Sequence, residues 1–250
     1  MYIDIEKAKN EFINYTNKYD LTDDMINLKQ SHSLRVMNIS KLIAQNLNLN
    51  QEDTEVACLI GLLHDIGRFD QQTNYKTFND LNSFDHGDYG AKILDNDLRS
   101  YVVTGKYDSL IKTAVKNHNK YKIESGLTDR EILFSKIVRD ADKLDILYQA
   151  TYRYWNGIEE EINNSDIMDT VLSSIKNQQL FQLKKGENYD NINSVLYTVG
   201  FVFDINYKSS FQILKSRNYI NKIFDRFEYK DPQLILDIRH RINKYIDEHI

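Results

Sequence analysis

Apolar positions in this chain recur at intervals of three and four residues. His32, Val36, Ile39 and Ile43 fall at i, i+4, i+7 and i+11, and Val56, Ile60 and His64 at i, i+4 and i+8, the spacing that lines one face of an α-helix. Ile111, Ala114 and His118 form a third such stripe, and Phe134, Val138 and Asp142 a fourth. Each stripe carries a titratable group where a leucine would be expected. Helix starts are also legible. Thr128 and Glu131 make a capping-box pattern ahead of "ILFSKIVRDADKLDIL", and Asp231 followed by Pro232 suits the N-cap and first position of a last helix. With only 9 Gly and 1 Pro in 250 residues, the residues that punctuate sheets and loops are scarce. The pattern predicts an all-α, multi-helix chain. The loosest stretches, about 71–85 and 156–166, read as loops, and neither divides the chain clearly into domains.

Composition narrows the partners. The chain is long enough for one large domain or two small ones, and 41% apolar residues suffice for a core. A net charge of -5 gives no electrostatic footprint for bulk nucleic acid or an anionic membrane, so a small molecule is the expected partner. The first residues are charged from the fourth onward, and the longest apolar run, "VACLIGLL" at 56–63, is far short of the roughly 20 residues that span a bilayer. A cytoplasmic location is expected. The single cysteine, Cys58, lies within that run; it reads as a small buried apolar residue, and no internal disulfide or thiolate cluster can form.

The chemistry lies in the histidines and aspartates. A buried imidazole or carboxylate must be paired, hydrogen-bonded or metal-bound, because an isolated ionised group costs several kcal/mol even after relaxation. Several such groups on facing helices imply a common partner. Imidazole and carboxylate donors without sulfur suit Fe, Mn, Ni or Zn and fit a hydrolytic or redox di-metal centre. His64 and Asp65 are adjacent and diverge by about 100° on a helix, yet both reach one site if the helix end near Gly67 points into it. Asp65 has two oxygens with which to bridge two ions.

The ordered set His32, His64-Asp65 in "LLHDIGRFD", and Asp142 in "RDADKLD" resembles the HD-domain superfamily of metal-dependent phosphohydrolases. The extra histidines, His86 in "DHGDYGA" and His118 in "VKNHNKY", resemble the subset that holds two ions. The resemblance is close over about residues 25–150 and diffuse from about 151. It implies a single helical domain over 1–250, an HD-type bundle followed by a helical C-terminal extension. It further implies that His32, His64, Asp65 and Asp142 hold one ion, with Asp65 bridging to a second held by His86 and His118. Asp140 and Asp145 are rivals for the Asp142 role. Asp142 is preferred because the "ADKLD" run resembles the family's final aspartate motif, and because it follows the Phe134 and Val138 face, from which Asp140 points about 200° away.

The resemblance implies hydrolysis of a small phosphate ester or nucleotide by a hydroxide that two ions generate, with Asp65 and Arg68 as catalytic residues. Arg68, Arg35 and Lys143 are the candidate phosphate-binding cations, Arg68 first. No two histidines are adjacent and Arg68-Phe69 stands where an acidic pair would be. The chain thus departs from the HD-GYP cyclic-di-GMP phosphodiesterases and from the HDxxED alarmone hydrolases. A mixed-valent di-iron oxygenase and a non-catalytic sensor of metal or nucleotide are the alternative readings. Tyr152, Tyr154 and Trp155 are expected in a core, and His240 and His249 on the surface. The sequence leaves the oligomeric state open.

Overall fold

The computed structural model describes residues 3–182, 184, 189 and 191–250. Among them no strand occurs, in line with the helical periodicity. The helices are α1 (Ile5–Thr16), α2 (Asp24–Asn46), α3 (Gln51–Leu63), α4 (Arg68–Tyr75), α5 (His86–Tyr101), α6 (Asp108–Asn117), α7 (Asp129–Ala150), α8 (Glu159–Asn164), α9 (Asp169–Lys176), α10 (Ile192–Val199), α11 (Lys208–Arg217), α12 (Tyr219–Phe224) and α13 (Pro232–Glu248). The chain falls into two compact units, Met1–Asp142 and Lys143–Ile250. The division lies inside α7, a little before the change in family resemblance at about 151. No described helix is long and apolar enough to cross a membrane.

In the first unit α3 is the central element. Every residue from Thr54 to Leu63 is buried, as expected of a helix that is apolar nearly all round. It lies along α2, touches α1 on one side and α6 on another, while α5 packs on α6 and on α1. Close approach of α2 and α3 depends on Gly61, where an added Cβ would stand 2.6 Å from Ser40 Oγ and 2.9 Å from the Val36 carbonyl oxygen. The helix starts are fixed by side-chain caps on orphan backbone donors. Asp23 accepts from the Met25 amide at 2.8 Å, Asn50 from Asp53 at 2.9 Å and Asp85 from Asp88 at 2.9 Å. The predicted capping box of α7 is formed, with the Thr128 amide donating to Glu131 at 2.9 Å and the Glu131 amide to Thr128 at 3.3 Å.

Two expected loops are partly helical. The stretch from 71 opens inside α4, and that from 156 contains α8. The hydrophobic period missed α4 because its buried side chains include the amides Gln71 and Gln72, which are held by hydrogen bonds. Gln71 Nε2 donates to Asp80, Ser83 and the Phe84 carbonyl, and Gln72 Nε2 donates to Asp23.

In the second unit α10 packs on α8, α9 and α12, and α13 on α11 and α12. Ile238, Ile242 and Ile246 form the buried stripe of α13, which starts at the expected place, Asp231 accepting from the Leu234 amide at 3.0 Å ahead of Pro232. Trp155 packs edge-on against Tyr154 and Phe227, with the Arg226 guanidinium 5.7 Å from its ring, whereas Tyr152 is exposed. His240 and His249 are exposed as predicted, and His249 stacks on Phe211. Cys58 is buried and free.

Candidate metal centre

α3 carries the chain into the middle of the first unit and stops there. It ends at Leu63, so His64 is its C-cap, and a turn through Gly67 leads into α4. The helix therefore ends with the apolar run at Leu63, a few residues before Gly67, near which the sequence placed its end. That turn lets two adjacent residues serve one site, since side chains one step apart on a continuing helix would diverge. His118 is likewise the C-cap of α6, His86 the first residue of α5, and His32 and Asp142 lie within α2 and α7.

These six side chains converge. His32 Nε2 lies 3.1 Å from His64 Nε2 and 3.0 Å from Asp142 Oδ1, and His64 Nε2 is 3.6 Å from the same oxygen. His86 Nε2 and His118 Nε2 are 3.0 Å apart. Asp65 sits between the two pairs and divides its oxygens. Oδ2 is 3.5 Å from His32 and 3.4 Å from His64, while Oδ1 is 3.3 Å from His86 and 3.4 Å from His118. All four imidazoles and Asp65 are at most 2% exposed. His32, His64 and Asp142 form one group able to hold an ion, and His64, Asp65 and His118 another.

The hydrogen bonds on the far side of each ring fix what faces inward. His64 Nδ1 lies 2.8 Å from the Gly61 carbonyl oxygen, His118 Nδ1 2.6 Å from that of Val115, and His86 Nδ1 2.7 Å from Asp80 Oδ2. These acceptors require the proton on Nδ1 and so turn the Nε2 lone pairs into the site, an arrangement common around metal ions. Lone pairs facing one another at about 3 Å repel unless a proton or a metal cation lies between them. The donor spacing suits one, because metal bonds of about 2.1 Å place neighbouring ligand atoms about 3.0–3.4 Å apart in octahedral or tetrahedral arrangements. The donor set thus fits divalent metal.

Charge is balanced locally. Burial pulls the His64 pKa down, but Asp65 and Asp142 outweigh it and raise it to about 10. Burial lowers His118 to about 4, with the neighbouring imidazoles adding to the effect. Desolvation would raise both carboxyls, yet Lys29 and His64 hold Asp65, and His32 and His64 hold Asp142, well below the usual carboxylate range. Asp80 is also lowered: His86 and Arg68 overcome its burial.

The other expected residues are placed differently. Arg68 Nη1 donates to Gln71 Oε1, the Phe78 carbonyl and Asp80 Oδ1, while its Nε lies 3.6 Å from Asp65 Oδ1. Arg35 is half-buried on α2. Lys143 lies in the second unit, its Nζ 2.8 Å from Asp204 Oδ2. Of the rivals to Asp142, Asp140 is fully buried and in neither donor group, and Asp145 Oδ2 accepts from Gln149 at 2.8 Å.

Three residues went unmarked in the sequence. Lys29 Nζ is 2.6 Å from Asp65 Oδ2; its only signal was a position one turn before His32. Asp80 orients His86 and shares Arg68 and Asn119, and nothing in its loop announced it. Arg139 is buried and donates through Nη1 to the carbonyls of Asn117, His118 and Lys120, tying down the segment that presents His118.

Residues 30–147 match the family model described as HD domain. No curated protein and no solved structure matches the chain significantly.

Proposed function

We propose that the protein is an HD-type, metal-dependent phosphohydrolase acting on a small phosphate ester or nucleotide, with two divalent ions of Fe, Mn, Ni or Zn. The observation that carries this reading is the division of Asp65, one oxygen toward the His32 and His64 pair and the other toward the His86 and His118 pair. His32, His64, Asp65 and Asp142 would hold one ion, and Asp65, His86 and His118 the other. Ions bound there would supply Lewis acidity and a water that ionises near neutral pH. The protein's own residues position the reactants. Asp80 and the carbonyls of Gly61 and Val115 fix three imidazole rings, and Arg68, held by Asp80 and Gln71, presents a cation beside the bridging carboxylate. Around the buried cluster the side chains of Lys29, Arg68 and Asp142 are 13%, 14% and 13% exposed, so substrate would enter past them.

The test is phosphate release from a panel of nucleotides and sugar phosphates by protein loaded in turn with each metal. Release with at least one metal, lost in Asp65→Asn, is expected. Silence with every metal, or substrate-dependent oxygen uptake by the iron-loaded protein instead, would overturn the reading.

A further inference from the structure

Lys29 has no part in holding metal, yet it makes the shortest contact to the bridging carboxylate. Its Nζ lies 2.6 Å from Asp65 Oδ2, the oxygen that faces His32 and His64. On the other oxygen Arg68 Nε is buried and makes no hydrogen bond among the described residues, although it points within 3.6 Å of Oδ1. The two cations flank one ring, Lys29 Nζ 5.1 Å and Arg68 Cζ 5.4 Å from the centre of Phe78. Both stand on the partly exposed edge of an otherwise buried cluster.

A divalent ion and an ammonium drawn to the same carboxylate oxygen repel each other, so filling the site weakens the hold of Asp65 on Lys29. Two dications added to Asp65, Asp142 and Asp80 also leave the cluster net positive. We propose that Lys29, together with Arg68 Nε, receives the terminal phosphate of a phosphomonoester, Lys29 turning from Asp65 to a phosphate oxygen once metal is bound. This rests on the phosphohydrolase reading and narrows its substrate class. A monoester dianion offers three terminal oxygens and two charges to these cationic groups, where a diester offers two oxygens and one charge. An ammonium and a guanidinium N–H both favour such an acceptor.

The test uses the full chain loaded with manganese and titrated with inorganic phosphate by calorimetry, alongside manganese stoichiometry and thermal melting. Wild type is expected to bind phosphate. Lys29→Met should keep its manganese and its melting transition yet bind phosphate at least tenfold more weakly, and Lys29→Arg should recover most of the loss. Wild-type phosphate affinity in Lys29→Met would overturn the assignment, and so would loss of manganese in that variant, which would make Lys29 a support for Asp65. Failure of manganese-loaded wild type to bind phosphate at all would instead overturn the phosphohydrolase reading on which the assignment depends.

Discussion

Metal binding should be tightly coupled to a single proton. In the metal-free protein His64 is raised to about 10 by Asp65 and Asp142, while His118 is lowered to about 4 by burial. At pH 8 the first is an imidazolium and the second is neutral. An ion entering between His32 and His64 must therefore displace a proton from His64, whereas one entering between His86 and His118 need take none from His118. The affinity of the first half should rise about tenfold per pH unit from pH 7 towards 10, roughly a thousandfold in all. Calorimetry with manganese under argon, in buffers of differing ionisation enthalpy, should count close to one proton released in that phase. The same protonation makes stability fall with pH. His64 has a higher pKa folded than unfolded, so its contribution is complete below about 6.5 and is lost as pH rises towards about 10. His118 has the opposite sign: its contribution is complete above about 6.5 and lost as pH falls towards about 4. Between them they place the stability maximum of the metal-free protein near pH 6.5, which denaturant titration would locate. Metal affinity independent of pH, with no proton released, would refute the reasoning.

Other substitutions address single parts of the arrangement. Asp142→Asn should lower metal content while Asp140→Asn leaves it unchanged; the reverse pattern in elemental analysis would move the ligand role to Asp140. His86→Ala or His118→Ala should take the stoichiometry from about two ions to about one with the circular dichroism of a folded chain retained, because two-ion sites divide their ligands. Gly61→Ala would press a methyl group against Ser40 and the Val36 carbonyl and should destabilise by about 1–3 kcal/mol in denaturant.

Helical periodicity pointed to three of the four buried histidines because burial and the 3.6-residue repeat are the same signal, whereas His86, the first residue of α5, lies on no such stripe. His32, His64, His118 and Asp142 lie in register with Val36, Ile60, Ala114 and Val138, all four of them fully or almost fully buried. The doublet His64-Asp65 marked the site for a related reason, since it stands directly at the end of the apolar run of α3. What the repeat does not encode is which polar residues bend over a site from its rim. Lys29 and Arg68 are amphipathic side chains whose stems can lie on either side of a helix boundary, so their heads are placed by packing against Phe78 and Asp65. Asp80 sits in a short 3-10 turn with no periodic neighbours to place it. Lys143 follows Asp142 in sequence, but its ammonium lies beside Asp204.

The candidate ligands are drawn from widely separated parts of the chain. His32 and Asp142 stand 3.0 Å apart with about 110 residues of backbone between them. An ion held by both closes a loop as a covalent cross-link would, and in the chain-entropy picture a loop of that length removes about 4–5 kcal/mol of freedom from the denatured ensemble. Metal supply would then govern how long each molecule survives. A chain starved of its ions opens more often and meets proteases in that open form, so its lifetime would report the metal status of its surroundings.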